Sequence, residues 1–116
     1  MIRFAAACYF GVLRPEIALV LTEASIWGER TGIVVDVNSG ADRNHTAGTL
    51  HPWDLAVDLD TVGDKPAELA LLYAYLVRVL PPPYDVVLEV DHVHVEWDSR
   101  RTKPASATGF RQVAPV

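Results

Sequence analysis

The sequence predicts an α+β fold in which a small antiparallel sheet is packed by two main helices. Two segments repeat apolar residues at helical spacing, and short strand-like segments lie between turn residues. With 116 residues, the chain has room for one domain with a modest core. We therefore expect the helices and the sheet to share a single hydrophobic core.

The first elements are predicted within residues 4–27. The apolar run 4–10 indicates a strand or a short helix. Pro15 suits the opening turn of a helix, which we expect to run to about Trp27 and to end at Gly28. Its apolar residues recur at helical spacing and are Ile17, Val20, Leu21, Ala24 and Trp27.

A second helix is predicted from Ala67 to about Leu80, after Lys65-Pro66, because the run Pro81-Pro82-Pro83 prevents any extension. Its core residues are expected to be Leu69, Leu72, Tyr73, Leu76 and Leu80. The strands of the sheet are expected near residues 33–37, 55–59, 85–90 and 92–97.

The last predicted strands carry most of the chemistry. On one straight strand, residues 86–97 would present His92 and His94 on one face and valines on the other. Glu89 and Asp91 would then lie on the face opposite His94. A bulge or a strand break near Asp91 would bring the carboxylates and imidazoles together.

A histidine and an aspartate earlier in the chain add possible metal ligands. His51 and Asp58 are seven residues apart, which on a helix would separate them by roughly 10 Å along the axis. On an unbroken strand they would lie on opposite faces. They can therefore share an ion only if the chain bends between them, and Pro52-Trp53-Asp54 supplies such a bend.

The pattern His51-x6-Asp58, followed by Asp91-x-x-His94-x-Glu96, resembles that of the M15 peptidases. This family includes D-Ala-D-Ala carboxypeptidases, phage L-Ala-D-Glu endolysins and hedgehog-like domains, and the chain is most similar to short phage members. The resemblance implies Zn²⁺ bound by His51, Asp58 and His94, with an open position for catalysis. We expect this zinc site at the edge of the sheet.

The resemblance also implies catalytic roles. Asp91, three residues before His94, corresponds to the general base. Glu89 is the alternative, because it stands three residues before His92 and would be the base if His92 were the ligand. Otherwise His92 would lie beside the metal and donate a hydrogen bond to the tetrahedral intermediate.

Substrate-binding residues are implied in two places. Residues 39–43 resemble a Ser-Gly-Tyr-Arg element that holds a substrate carboxylate in the family, with an additional residue before the arginine. Ser39 and Arg43 are therefore expected to bind substrate, and Trp53 to line the groove. The chain departs from the family pattern at Asp54, where family members usually carry glycine.

The function implied is zinc-dependent hydrolysis of an amide bond next to a D-amino acid in peptidoglycan stem peptides. Carboxypeptidase and endopeptidase activities share this set of residues. The alternative is a non-hydrolytic, zinc-containing structural or binding module of a phage particle, and a third reading is a scaffold without metal. The implied partners are peptidoglycan peptides, with phage structural or lysis proteins.

Composition and charge argue against several classes of partner and of targeting segment. The net charge of -5 and the lack of a basic block argue against a nucleic-acid partner. No segment approaches the roughly 20 apolar residues of a membrane span. The run 4–10 follows Arg3 as in a signal peptide, but it is short and lacks a convincing cleavage site. We expect a peptidase domain over 1–98 and a loosely structured tail over 99–116. The sequence does not decide the location, for which the resemblance permits the host cytoplasm or a phage virion, with action on the cell wall.

Overall fold

Among the residues that the structure describes, two helices pack on one face of a five-stranded sheet. The computed structural model describes residues 1–5, 8, 13–39, 55–63 and 65–98, so the predicted tail lies outside the described residues. The elements in chain order are β1 (Ile2–Phe4), α1 (Pro15–Thr31), β2 (Val35–Ser39), β3 (Ala56–Thr61), α2 (Pro66–Val79), β4 (Tyr84–Leu88) and β5 (Val93–Trp97). This arrangement confirms the predicted α+β fold class.

The strand order across the sheet is β1-β2-β3-β5-β4. All neighbouring strands are antiparallel except β1 and β2, which pair in parallel. A parallel pair needs a long connection, and α1 lies within the one between β1 and β2. The strands β3 and β5 are interior, because β2 covers one and β4 the other.

Helix α1 is longer than predicted. It continues through Gly28 to Thr31, and Gly32 caps it in a left-handed conformation with φ of 76°. Gly28 is required for a different reason, because a Cβ there would lie 2.9 Å from the carbonyl oxygen of Ile33 and 2.9 Å from the nitrogen of Met1. The glycine therefore permits close backbone packing, and the predicted end at this position is wrong.

Helix α2 follows the prediction closely. It begins at Pro66 and ends at Val79, with Leu80 as its C-cap. Its core residues are buried, except that Tyr73 is partly exposed while Tyr75 is buried. Within the described part of the chain, neither helix is long and apolar enough to cross a membrane.

The hydrophobic core lies between the helices and one face of the sheet. Valines and Leu59 from alternate strand positions contact the apolar faces of α1 and α2. Tyr84 on β4 also joins the sheet to α1, because its hydroxyl donates a hydrogen bond of 2.6 Å to the carbonyl oxygen of Glu16. The opposite face of the sheet carries polar residues together with the buried Ala56 and Val87.

Two adjacent leucines of α2 test this packing. Leu72 is fully buried, whereas Leu71 is 58% exposed. We expect Leu72→Ala to lower the free energy of unfolding by about 2–5 kcal/mol, since it leaves a cavity in the core. Leu71→Ala, the matched control, should change it by about 0.5 kcal/mol or less. Urea denaturation measures both, and equal losses would contradict the orientation of α2.

Candidate functional site

The sheet face that points away from the helices carries the candidate site. Side chains alternate between the two faces along each strand. The residues between the core valines therefore lie on this polar face and include Asp36, Asn38, Asp58, Asp60, His94 and Glu96. The predicted ligands Asp58 and His94 are on the interior strands β3 and β5 and not at a sheet edge, because β2 and β4 extend the sheet beyond them.

Asp58 and His94 lie directly opposite each other. They are register partners in the antiparallel pair β3–β5. Asp58 Oδ1 is 2.9 Å from His94 Nδ1, although 36 residues separate them in sequence. The two side chains are 13% and 11% exposed, respectively. The contact is therefore largely shielded from water, which strengthens a hydrogen bond between charged groups.

The second ring nitrogen of His94 contacts Glu96. Glu96 Oε1 lies 2.8 Å from His94 Nε2. The contact arises because residues two apart on a strand share a face. His94 is thus held between a carboxylate from the neighbouring strand and a carboxylate from its own strand.

The chain turns between β4 and β5, so residues 86–97 form parts of two strands, as predicted, and not one straight strand. Leu88 and Val93 are register partners, and the backbone N–H of Glu89 donates a hydrogen bond of 2.9 Å to the carbonyl of His92. The break near Asp91, which the candidate base needs in order to approach the histidines, is therefore present. Side chains therefore do not alternate between the two faces continuously from residue 86 to residue 97, because the turn interrupts the strand.

This turn places His92 between both candidate bases. His92 Nδ1 lies 2.6 Å from Asp91 Oδ1, and His92 Nε2 lies 3.1 Å from Glu89 Oε2. The same Nε2 is 3.6 Å from Asp58 Oδ1. Asp58 therefore links the two histidines, and the turn and the interior strands form one polar cluster.

The pKa values of both histidines are raised. Burial disfavours the imidazolium form of His94, but the hydrogen bonds and charges of Asp58 and Glu96 outweigh it and raise the pKa to about 9. Burial also acts on His92, but the hydrogen bond to Asp91 and the nearby carboxylate charges raise its pKa above the ordinary value. In the absence of a bound cation, His94 is therefore charged at neutral pH.

A cleft of about 280 Å³ opens beside the cluster, close to the lower limit of about 300 Å³ for small-ligand pockets. It is lined by Asn38, Asp58, Asp60, Asp91 and His92. Asn38 lies where the β2–β3 register shifts between Val37 and Ser39. Such bulges commonly occur next to active sites, where they redirect side chains.

The structure brings together the predicted site residues whose side chains it describes, which are Asp58, Glu89, Asp91, His92 and His94. Ser39 ends β2, and its backbone is the register partner of Asp58. His51, Trp53 and Arg43 lie outside the described residues. In the described part of the chain, no group of three or more His, Cys, Asp or Glu side chains has the arrangement of a metal site.

Glu96 belongs to the motif but had no predicted role, and Asp60 and Asn38 were not among the predicted site residues. The contact of Glu96 with His94 had a signal in the sequence, because the i, i+2 spacing on a strand predicts neighbours on one face. Asn38 and Asp60 had no such signal, because they reach the cleft through the bulge and the pairing of β2 with β3.

Neither a scan against models of known protein families nor a search of curated proteins finds a match to this chain. The resemblance to the M15 peptidases therefore depends on the motif residues themselves. Those residues are the ones whose geometry is described above, apart from His51.

The Asp58–His94 contact is testable by a double-mutant cycle in protein freed of metal by a chelator. We expect Asp58→Asn and His94→Gln to show a coupling energy of about 1–3 kcal/mol at pH 7, since the pair is charged and shielded. The pKa of His94 in the folded protein, about 9, exceeds the ordinary value of about 6.5. The stabilisation is therefore full below about pH 6.5 and is lost as the pH rises through 9.

The exposed pair Arg3 and Asp36 supplies the control, because both charges persist over this range and Arg3 is 60% exposed. A cycle of Arg3→Gln and Asp36→Asn should give a small coupling energy that does not change between pH 7 and pH 10. Urea denaturation at both pH values measures the two cycles. A His94 coupling that is as large at pH 10 as at pH 7 would contradict the charged pair.

Proposed function

We propose that this chain is a zinc-dependent peptidase that hydrolyses an amide bond next to a D-amino acid in peptidoglycan stem peptides. The main support is the convergence of Asp58 and His94, which are distant in sequence and adjacent in space. His92 and Asp91 line the same cleft as Asp58, and His92 Nε2 is 3.6 Å from Asp58 Oδ1. These four residues occupy the positions at which the resemblance to the M15 peptidases implies metal binding and catalysis.

The donor chemistry of the cluster fits a zinc ion. Carboxylate oxygen and imidazole nitrogen are both common zinc ligands. Asp58 Oδ1 and His94 Nδ1 are 2.9 Å apart, so these two residues are close enough that both could bind one zinc ion. His51 is the proposed third ligand. Because ligands bind in their deprotonated forms, uptake of zinc would release the proton of His94.

Zinc in such a site supplies Lewis-acid polarisation of a carbonyl and an acidified water. We assign Asp91 as the base that accepts a proton and passes it to the leaving amine. Asp91 lines the cleft and its side chain is 74% exposed, whereas that of Glu89 is 26% exposed. Asp91 is thus the more accessible to substrate, and Glu89 remains the alternative. His92 is assigned as the hydrogen-bond donor to the developing oxyanion.

Substrate binding is assigned to Ser39, Arg43 and Trp53 on the basis of the resemblance. Ser39 ends the strand that pairs with β3 at Asp58, so its backbone lies beside a proposed ligand. An arginine suits this role, since its guanidinium forms paired hydrogen bonds with a carboxylate. Phage structural or lysis proteins are the proposed partners.

A second candidate function is a non-hydrolytic structural or binding module of a phage particle that contains zinc. One observation favours it. Both candidate bases are engaged by His92, whose Nδ1 lies 2.6 Å from Asp91 Oδ1 and whose Nε2 lies 3.1 Å from Glu89 Oε2. Such a network satisfies its own polar groups and can stabilise the fold without any turnover.

Metal content is the first test of the peptidase proposal. We expect about one zinc ion per chain in the parent protein, and none in a His51→Ala, His94→Ala double variant, since both residues are proposed ligands. His45→Ala, which removes a histidine outside the motif, should retain zinc. Elemental analysis after dialysis measures all three. A folded parent that does not take up added zinc would contradict the peptidase proposal.

The base is tested by separate substitution of the two carboxylates. We expect Asp91→Asn to lower kcat on peptidoglycan fragments by about 10²–10⁴-fold while zinc is retained, because proton transfer is lost. Glu89→Gln is the matched control and should have a smaller effect. The reverse order would assign the base to Glu89. Zinc binding with no turnover of any fragment by the parent would favour the non-hydrolytic module.

A further inference from the structure

We propose that Glu96 is the positioning residue for His94. It binds Nε2 and thereby presents Nδ1 as the nitrogen that would bind zinc. This inference rests on the proposed zinc site. It assigns to Glu96 a function that is separate from metal binding and from catalysis.

The imidazole ring of His94 is oriented by contacts at both of its nitrogens. The two ring nitrogens point to different neighbours, with Nδ1 2.9 Å from Asp58 Oδ1 and Nε2 2.8 Å from Glu96 Oε1. Asp58 lines the cleft together with His92. The Nδ1 side of the ring is therefore the side of the cleft and of the other predicted site residues, and Glu96 occupies the Nε2 side.

The surroundings of Glu96 favour its contact with His94. Its register partner on β3 is Ala56, which has no polar side-chain group. The Glu96 carboxylate reaches along its own strand to His94 instead, and the two side chains are only 17% and 11% exposed. Water competes weakly for a hydrogen bond in such a place. The contact is therefore suited to fix the rotation of the ring.

The contact between Glu96 and His94 has a known role in metal sites. A histidine that binds a metal through one nitrogen usually donates the N–H of the other to a carboxylate or a carbonyl, which fixes the tautomer and the ring orientation. Glu96 has the geometry of that partner. Loss of such a partner typically weakens metal affinity by about 10–100-fold.

Two substitutions separate the parts of this role. Glu96→Gln keeps an oxygen acceptor and removes the charge, whereas Glu96→Ala removes both. We expect zinc affinity, measured by competition with a chromophoric chelator, to fall by about 10–100-fold in Glu96→Ala and by less in Glu96→Gln. Thermal unfolding in excess chelator establishes that both variants fold before their affinities are compared.

Asp85→Asn is the matched control for loss of charge. Asp85 is the register partner of Glu96 on β4, so this variant removes one negative charge from the neighbouring position. Its effect on zinc affinity should be about threefold or less, because it acts through a field screened by salt. A loss as large as that of Glu96→Ala would show that general charge explains the result and would overturn the proposal.

A spectroscopic measurement reports the positioning directly. In zinc-loaded parent protein, long-range ¹H–¹⁵N spectra should show a protonated Nε2 and a metal-bound Nδ1 on His94. In Glu96→Ala the Nε2 proton should exchange faster with water, since its acceptor is gone. Zinc bound through Nε2 in the parent would overturn the proposal.

The zinc measurements distinguish the positioning role of Glu96 from the peptidase proposal. If the parent binds zinc and both Glu96 variants bind it equally well, the positioning role is wrong and the peptidase proposal stands. If the folded parent binds no zinc, both are wrong. Graded loss of affinity, with Nδ1 bound to zinc in the parent, supports the positioning role whether or not peptide hydrolysis is detected.

Discussion

The register between β3 and β5 is the constraint on which the rest of the structure depends. It places Asp58 opposite His94 and, one residue away, Val57 opposite Val95. A slip of one residue would turn the valines towards the polar face and the charged pair towards the core. Burial of the valines therefore maintains the contact between the two candidate ligands, and the core and the site are fixed by the same pairing.

The polar face carries many carboxylates on neighbouring strands, and like charges at such positions repel each other. The two histidines reduce this repulsion because each imidazole bridges two carboxylates. The turn at Glu89–His92 is essential to the arrangement, since it brings the second histidine to Asp58. A zinc ion at Asp58 and His94 would take over part of the same neutralising role, so the proposed function and the stability of this face are physically linked.

Much of the fold could be predicted because its signals are local. Apolar spacing and the flanking prolines were sufficient for α2, and alternation was sufficient for the approximate strand positions. The end of α1 was predicted wrongly because Gly28 serves the approach of Met1 and Ile33, which are brought there by the tertiary fold. The parallel pairing of β1 with β2 also had no local signal, since it depends on the path of the chain through α1.

The sequence by itself determined the types of donor available to the candidate site, the spacing of the motif and the face that His94 shares with Glu96. Only the tertiary structure decided that Asp58 contacts Nδ1, that a turn brings His92 to both candidate bases, and that the cluster lies on interior strands. The physical reason is that strand alternation is a local property of the backbone, whereas register and strand order depend on pairing between residues distant in sequence.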